Sequence, residues 1–81
     1  MQGGISMIDT LHTYSTEPEY DDDMGMSFIL VAVYDKGNDV WEVHREWLDR
    51  DGGADMIDED VDVLTSDMLL IQVAQGYFRK D

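Results

Sequence analysis

Asp49, Asp51, Asp55 and Asp60 occupy positions one, three, seven and twelve of a twelve-residue stretch, and oxygen donors at that spacing are what a calcium loop presents to a hard cation. The match stops there. The fifth position is Gly53, which carries no ligand, and the sixth is Ala54, where the sharp turn needs glycine. The flanking segment Trp41 to Leu48 also reads as strand where such a loop requires a helix. An acid-rich turn accounts for the same residues, and neither a metal site nor any other cofactor is expected.

Other chemistry is thinner. His12 and His44 are the only histidines, cysteine is absent, and no glycine-rich phosphate loop or zinc-ligand spacing occurs. His44 lies between Glu42 and Glu46 at alternate positions, an arrangement that suits an ion cluster as well as a pH-responsive group. Paired carboxylates arise by chance among so many acids, so they do not indicate acid–base catalysis. No catalytic residue is assigned, and the chain is not expected to be an enzyme.

The acids themselves are the dominant signal. Nineteen Asp and Glu face five Lys and Arg among 81 residues, giving a formal net charge of −14. Aspartate outnumbers glutamate 14 to 5, and its short stem holds the carboxylate close to the backbone, where glutamate would serve solubility and helix formation better. The acids concentrate in two runs. One comprises Glu17, Glu19, Asp21, Asp22 and Asp23; the other comprises Asp49, Asp51, Asp55, Asp58, Glu59, Asp60 and Asp62. Asp58, Asp60 and Asp62 on a strand would stand about 6.7 Å apart along one face. On a helix, Asp55, Asp58, Glu59 and Asp62 would share a face with neighbours about 5–6 Å apart. Either gives a line of charge with a spacing comparable to that of nucleic-acid phosphates. Runs of this kind are most often plain solvated faces.

The elements that would position these groups follow from pattern. Phe28 to Tyr34 is an apolar, β-branched run of strand length, followed by the turn cluster Asp35 to Asp39. Val40 to Leu48 then alternates, with Trp41, Val43, Arg45 and Trp47 on one face. This predicts a hairpin over 27–48, its first strand buried on both faces and its second on one. A helix is expected over 66–79, capped by Ser66, with Leu69, Leu70, Val73, Ala74 and Tyr77 on its apolar side and Arg79 and Lys80 complementing its dipole. Gly76 counts against the end of that helix, and Met68 to Val73 is apolar enough for a buried strand. Ile5 to Thr16 is read as a third strand and Glu17 to Asp23 as an exposed acidic loop begun by Pro18. Ala54 to Leu64 fits helix and strand equally. The fold expected is α+β: one domain spanning 1–81, a small antiparallel sheet with one or two helices on one face.

Composition bounds the class of function. The chain is 43% apolar with two Trp, two Phe and four Tyr, enough for one small core and unlike an acidic disordered chain. The first seven residues show neither a basic nor an apolar leader region, and no apolar run approaches the ~20 residues of a membrane span. A cytoplasmic location is therefore expected, in a host cell if a phage encodes the chain. Anionic lipid and nucleic acid would both repel it. The expected partner is a basic, nucleic-acid-binding protein, met by a monomer or homodimer.

In size, lack of cysteine, charge and placement of Asp and Glu, the chain resembles the small acidic DNA-mimic inhibitors of phage and mobile-element origin, which block restriction enzymes, uracil-DNA glycosylase or CRISPR effectors. The resemblance spans the whole chain and rests on general character, without a motif that assigns residue roles. It implies an inhibitor whose carboxylates fill a cationic nucleic-acid groove. Charge gives little specificity, so apolar anchors beside the acids are needed. Tyr20 and Met24 are the expected anchors, with Met26 and Met56 as further candidates. The alternatives are an acidic interaction domain with no inhibitory role and, third, a calcium-binding module.

Overall fold

In the computed structural model, which describes residues 8–81, the chain forms β1 (Tyr14–Ser15), β2 (Glu19–Asp21), β3 (Met26–Asp35), β4 (Val40–Leu48), β5 (Ala54–Leu64), α1 (Ser66–Ala74) and β6 (Arg79–Lys80). The strands make one sheet in the order β5-β4-β3-β1-β6, with β2 also pairing β3, and every pairing is antiparallel.

The central hairpin forms where the apolar run and its turn place it. Ser27 pairs with Leu48 and Asp35 with Val40 without interruption. The connecting turn is held by Asp35, whose carboxylate accepts from the Gly37 amide and from Asn38 Nδ2. Asp39 takes a left-handed conformation (φ 54°) and accepts from the Tyr34 hydroxyl at 2.6 Å, a role suited to Asp, which tolerates that region better than bulkier residues.

Residues directly opposed in an antiparallel ladder share a face, so the register divides the sheet. Tyr14, Phe28, Leu30, Ala32, Tyr34, Trp41, Val43, Arg45, Trp47 and Leu64 lie on one face. The core is built there: Tyr14, Ala32, Trp41, Val43 and Leu64 pack with Leu69 of α1 and with Phe78. Trp41 is fully buried, meets Tyr14 edge-on at 5.5 Å between ring centres, and donates from Nε1 to Ser66 Oγ. The other face carries Ser27, Ile29, Val31, Val33, Val40, Glu42, His44, Glu46, Leu48, Ile57 and Val63, and among the described residues no element covers it. The expectation that the first hairpin strand is buried on both faces holds at its middle, where Val31 is 8% exposed, and fails toward the hairpin turn, where Val33 is 40% exposed.

Five further expectations change. The helix ends at Ala74, because Gly76 enters the left-handed region (φ 81°) and the Tyr77 amide bonds back to Gln72 O, the geometry of a glycine-terminated helix. Its N-cap is Thr65, whose side chain accepts from the Met68 amide, leaving Ser66 free to receive Trp41. Arg79 and Lys80 lie in β6 beside β1 and so do not cap the helix. Glu17 to Asp23 is not wholly a loop, since Glu19–Asp21 pairs with Met26–Phe28. Of the strand expected over 5–16, Ile5 to Met7 lie outside the described residues and only Tyr14–Ser15 is strand.

Ala54 to Leu64 resolves as an eleven-residue edge strand. Its register slips twice. Val43 opposes Asp62 while Arg45 opposes Asp58, which leaves Glu59, Asp60 and Val61 facing one residue of β4, with Asp60 left-handed (φ 56°). A second shift sets Trp47 opposite Met56 and Leu48 opposite Ala54, so Asp55 is the extra residue. These bulges explain why neither a period of two nor one of 3.6 is clean across the segment.

Candidate functional site

The two acidic runs, far apart in sequence, meet at one end of the sheet. Ser27 and Leu48 are paired, so the β2–β3 turn and the β4–β5 turn project from the same end. Between them lies a cleft of about 490 Å³ lined by Tyr20, Met26, Ser27, Leu48, Asp49 and Arg50 among others. Each turn is built by an aspartate. Asp21 Oδ1 accepts from the Asp23 and Met24 amides, and Asp49 Oδ1 accepts from the Asp51 and Gly53 amides. Carboxylates used this way are Asx turns, which leaves Asp22, Asp23 and Asp51 as the outward charges of this end. The anchors stand beside them: Tyr20 is 63% exposed and Met24 47%. Met26 is half-buried, and Met56, opposite Trp47, is exposed.

From this end the charge continues along β5. Asp55, Glu59, Asp60 and Asp62 are exposed on a strand whose outer edge has no neighbour among the described residues, and because its ends oppose Trp41 and Leu48, seven steps of about 3.3 Å apart, it extends roughly 23 Å. The spacing is not the uniform 6.7 Å of a regular strand, because Asp55 and Asp60 sit at the bulges. Asp58 is set apart from this ribbon. One of its oxygens accepts from Arg45 Nε at 3.2 Å, from Arg45 Nη2 at 3.0 Å and from Trp47 Nε1 at 2.9 Å. The Trp47 bond first, and then Arg45, lower its pKa.

Arg45 is the residue whose role the alternation left unexplained. Its guanidinium lies 4.9 Å from the Trp47 ring and 5.4 Å from the Phe28 ring, which pack edge-on against each other. The stack roofs Trp47 on the part of the core face nearest the acidic end. A cation over two rings, fixed by a carboxylate, takes the place of an apolar cover there.

Arg79 and Lys80 lie at the opposite edge of the sheet. Arg79 pairs with Glu17 at 3.2 Å, and Lys80 lies 3.4 Å from Asp9, which also bonds His12 at 2.8 Å. Asp81 accepts from the hydroxyls of Thr13 and Ser15. Glu17, expected in the acidic surface, is therefore partnered at the β6 edge, and Glu19 lies exposed on β2 between the two regions.

A second group of acids sits toward the hairpin turn. Glu42 has a raised pKa because it shares a hydrogen bond with Asp35 and then because Asp35, Asp60 and Glu59 repel its charge. The same Asp35 is lowered, first by Asn38. Among the described residues, no three His, Cys, Asp or Glu side chains converge as metal ligands, and Asp49 to Asp60 runs from a tight turn into extended strand, so its acids do not wrap around one point. No described helix is long and apolar enough to cross a membrane. Compared with protein-family models, curated proteins and solved structures, the chain matches none.

Proposed function

We propose that this protein is an acidic inhibitor that acts as a DNA mimic, occupying the cationic nucleic-acid groove of a DNA-binding enzyme of the restriction, CRISPR or repair type. The observation that carries the reading is charge segregation. Arg79 and Lys80 neutralise acids at the β6 edge, whereas Asp22, Asp23, Asp51, Asp55, Glu59, Asp60 and Asp62 run from the cleft end along the β5 edge with Arg50 and Lys36, among the described residues, as the only exposed Lys or Arg near either end. A ribbon of about 23 Å has the reach of roughly two thirds of one turn of B-DNA. Its field would steer a basic groove to it at rates up to about 10⁸–10⁹ M⁻¹s⁻¹ at low salt, with Tyr20 and Met24 as apolar anchors at its end.

The test is displacement. A purified restriction endonuclease, a uracil-DNA glycosylase and a Cas9-type effector, each bound to its duplex, are titrated with the protein and followed by gel shift. Release of DNA from at least one, reversed by added salt, is expected. Retention of DNA by all three at low salt and large molar excess counts against these target classes. The second reading, an acidic interaction domain without inhibitory action, is favoured by the uncovered sheet face and predicts binding without loss of the partner's DNA.

A further inference from the structure

Among the described residues no element covers the face of the sheet opposite α1, and its composition is not that of a plain solvent face. Val33 is 40% exposed, Ile57 50% and Val63 54%. In register these flank a row of charge on β4: Glu42 stands between Val33 and Val63, and Glu46 between Ile29 and Ile57. The pattern across three strands is apolar, acidic, apolar. His44 holds Glu46 at 2.8 Å, while Glu42 shares a hydrogen bond with Asp35 and has Asp60 and Glu59 as further acidic neighbours.

We propose that this open face docks a cationic amphipathic helix of a partner protein, with apolar side chains resting on Val33, Ile57 and Val63 and Lys or Arg reaching Glu42 and Glu46. The charge selects the occupant. A second copy placed on the face by a two-fold axis running along β4 would set Glu42 and Glu46 against the same residues of its mate, at a cost in like-charge repulsion. Addition of a strand at β5 is impeded by the two bulges and by left-handed Asp60, features that break a pairing edge. A helix needs no free edge. It lies on a sheet as α1 already does on the other face, completing a helix–sheet–helix sandwich. Glu42 and Glu46 are four residues apart, about 13 Å, so cations a little over two helical turns apart meet both.

This surface is distinct from the acidic ribbon, and the proposal does not require the partner to bind DNA. The probe is a designed sixteen-residue helical peptide with leucine along one stripe and lysine flanking it, titrated into the ¹⁵N-labelled full chain. Amide shifts centred on Val33, Glu42, Glu46, Ile57 and Val63 are expected. The double variant V33S/V63S leaves every charge in place, and about a tenfold loss of affinity is expected from it, with the spectrum of a folded sheet retained. Shifts confined to the 22–25 and 49–53 turns and the β5 edge, or equal affinity for V33S/V63S, would overturn the proposal. A dimer of the free protein that V33S/V63S abolishes would also overturn it, by assigning the face to a second copy.

Discussion

Trp47 and Asp58 are joined across the β4–β5 pair by a 2.9 Å hydrogen bond from the indole Nε1, and the same carboxylate oxygen receives Arg45. One acid of the second run thus secures the edge strand to the hairpin. Replacing Asp58 with Asn leaves Arg45 without its counter-charge and lowers the melting temperature at pH 7. Because folding lowers this carboxyl's pKa below its ordinary 3.8, its contribution is complete above that value and fades as pH falls through the lower folded value. The gap between wild type and Asp58→Asn in thermal melts therefore closes in acid, and a gap that is constant from pH 7 to pH 2 would show that the pair's charge is immaterial.

Glu42 has the opposite sign. Its pKa is raised by Asp35 and its other acidic neighbours, so its ionised form opposes folding, and the penalty grows as pH rises through the ordinary carboxyl range. Glu42→Gln can donate to Asp35 and removes one like charge. Its melting temperature should exceed that of wild type at pH 7 and converge with it below about pH 4. A lower melting temperature at pH 7 contradicts the assignment.

Leu69 is the one fully buried residue of α1. Leu69→Ala removes the contact that holds the helix over Trp41 and should cost about 2–5 kcal/mol. For so small a domain that is most of the stability. Denaturant titration followed by tryptophan fluorescence gives the value, and a loss under about 1 kcal/mol would mean that the helix is not docked as described.

Gly76→Ala tests the helix stop separately. An added Cβ meets no atom within 4 Å, so the cost is conformational alone, about 1–2 kcal/mol for a left-handed residue. A neutral result would show that the turn relaxes.

How far the fold was legible follows from which residues speak locally. The hairpin was, because Phe28 to Tyr34 and Asp35 to Asp39 carry strand and turn chemistry within themselves. The edge strand was not. Aspartate disfavours strands, and β5 exists because Leu64, Asp62, Asp58 and Met56 find partners on β4 with bulges between them. Strands of two or three residues, such as β1, β2 and β6, hold no period to read. The acids of the candidate site were visible as runs, but their meeting at one end depends on the pairing of Ser27 with Leu48, and the withdrawal of Asp58 depends on Arg45 and Trp47. Neither is a local property. Asp21 and Asp49 also changed meaning, from outward charges to turn builders.

The outward acids provide the most direct test of the acidic ribbon. Wild type and the variant D22N/D23N/D51N/D55N, which spares Asp21, Asp49 and Asp58, are immobilised and exposed to bacterial lysate at low salt, then eluted with duplex DNA. Wild type is expected to retain a DNA-binding enzyme that duplex DNA and salt both release, and the variant to retain far less while melting at an equal or higher temperature. Equal retention by the variant, a partner held regardless of DNA and salt, or recovery of nothing from any lysate would contradict that expectation.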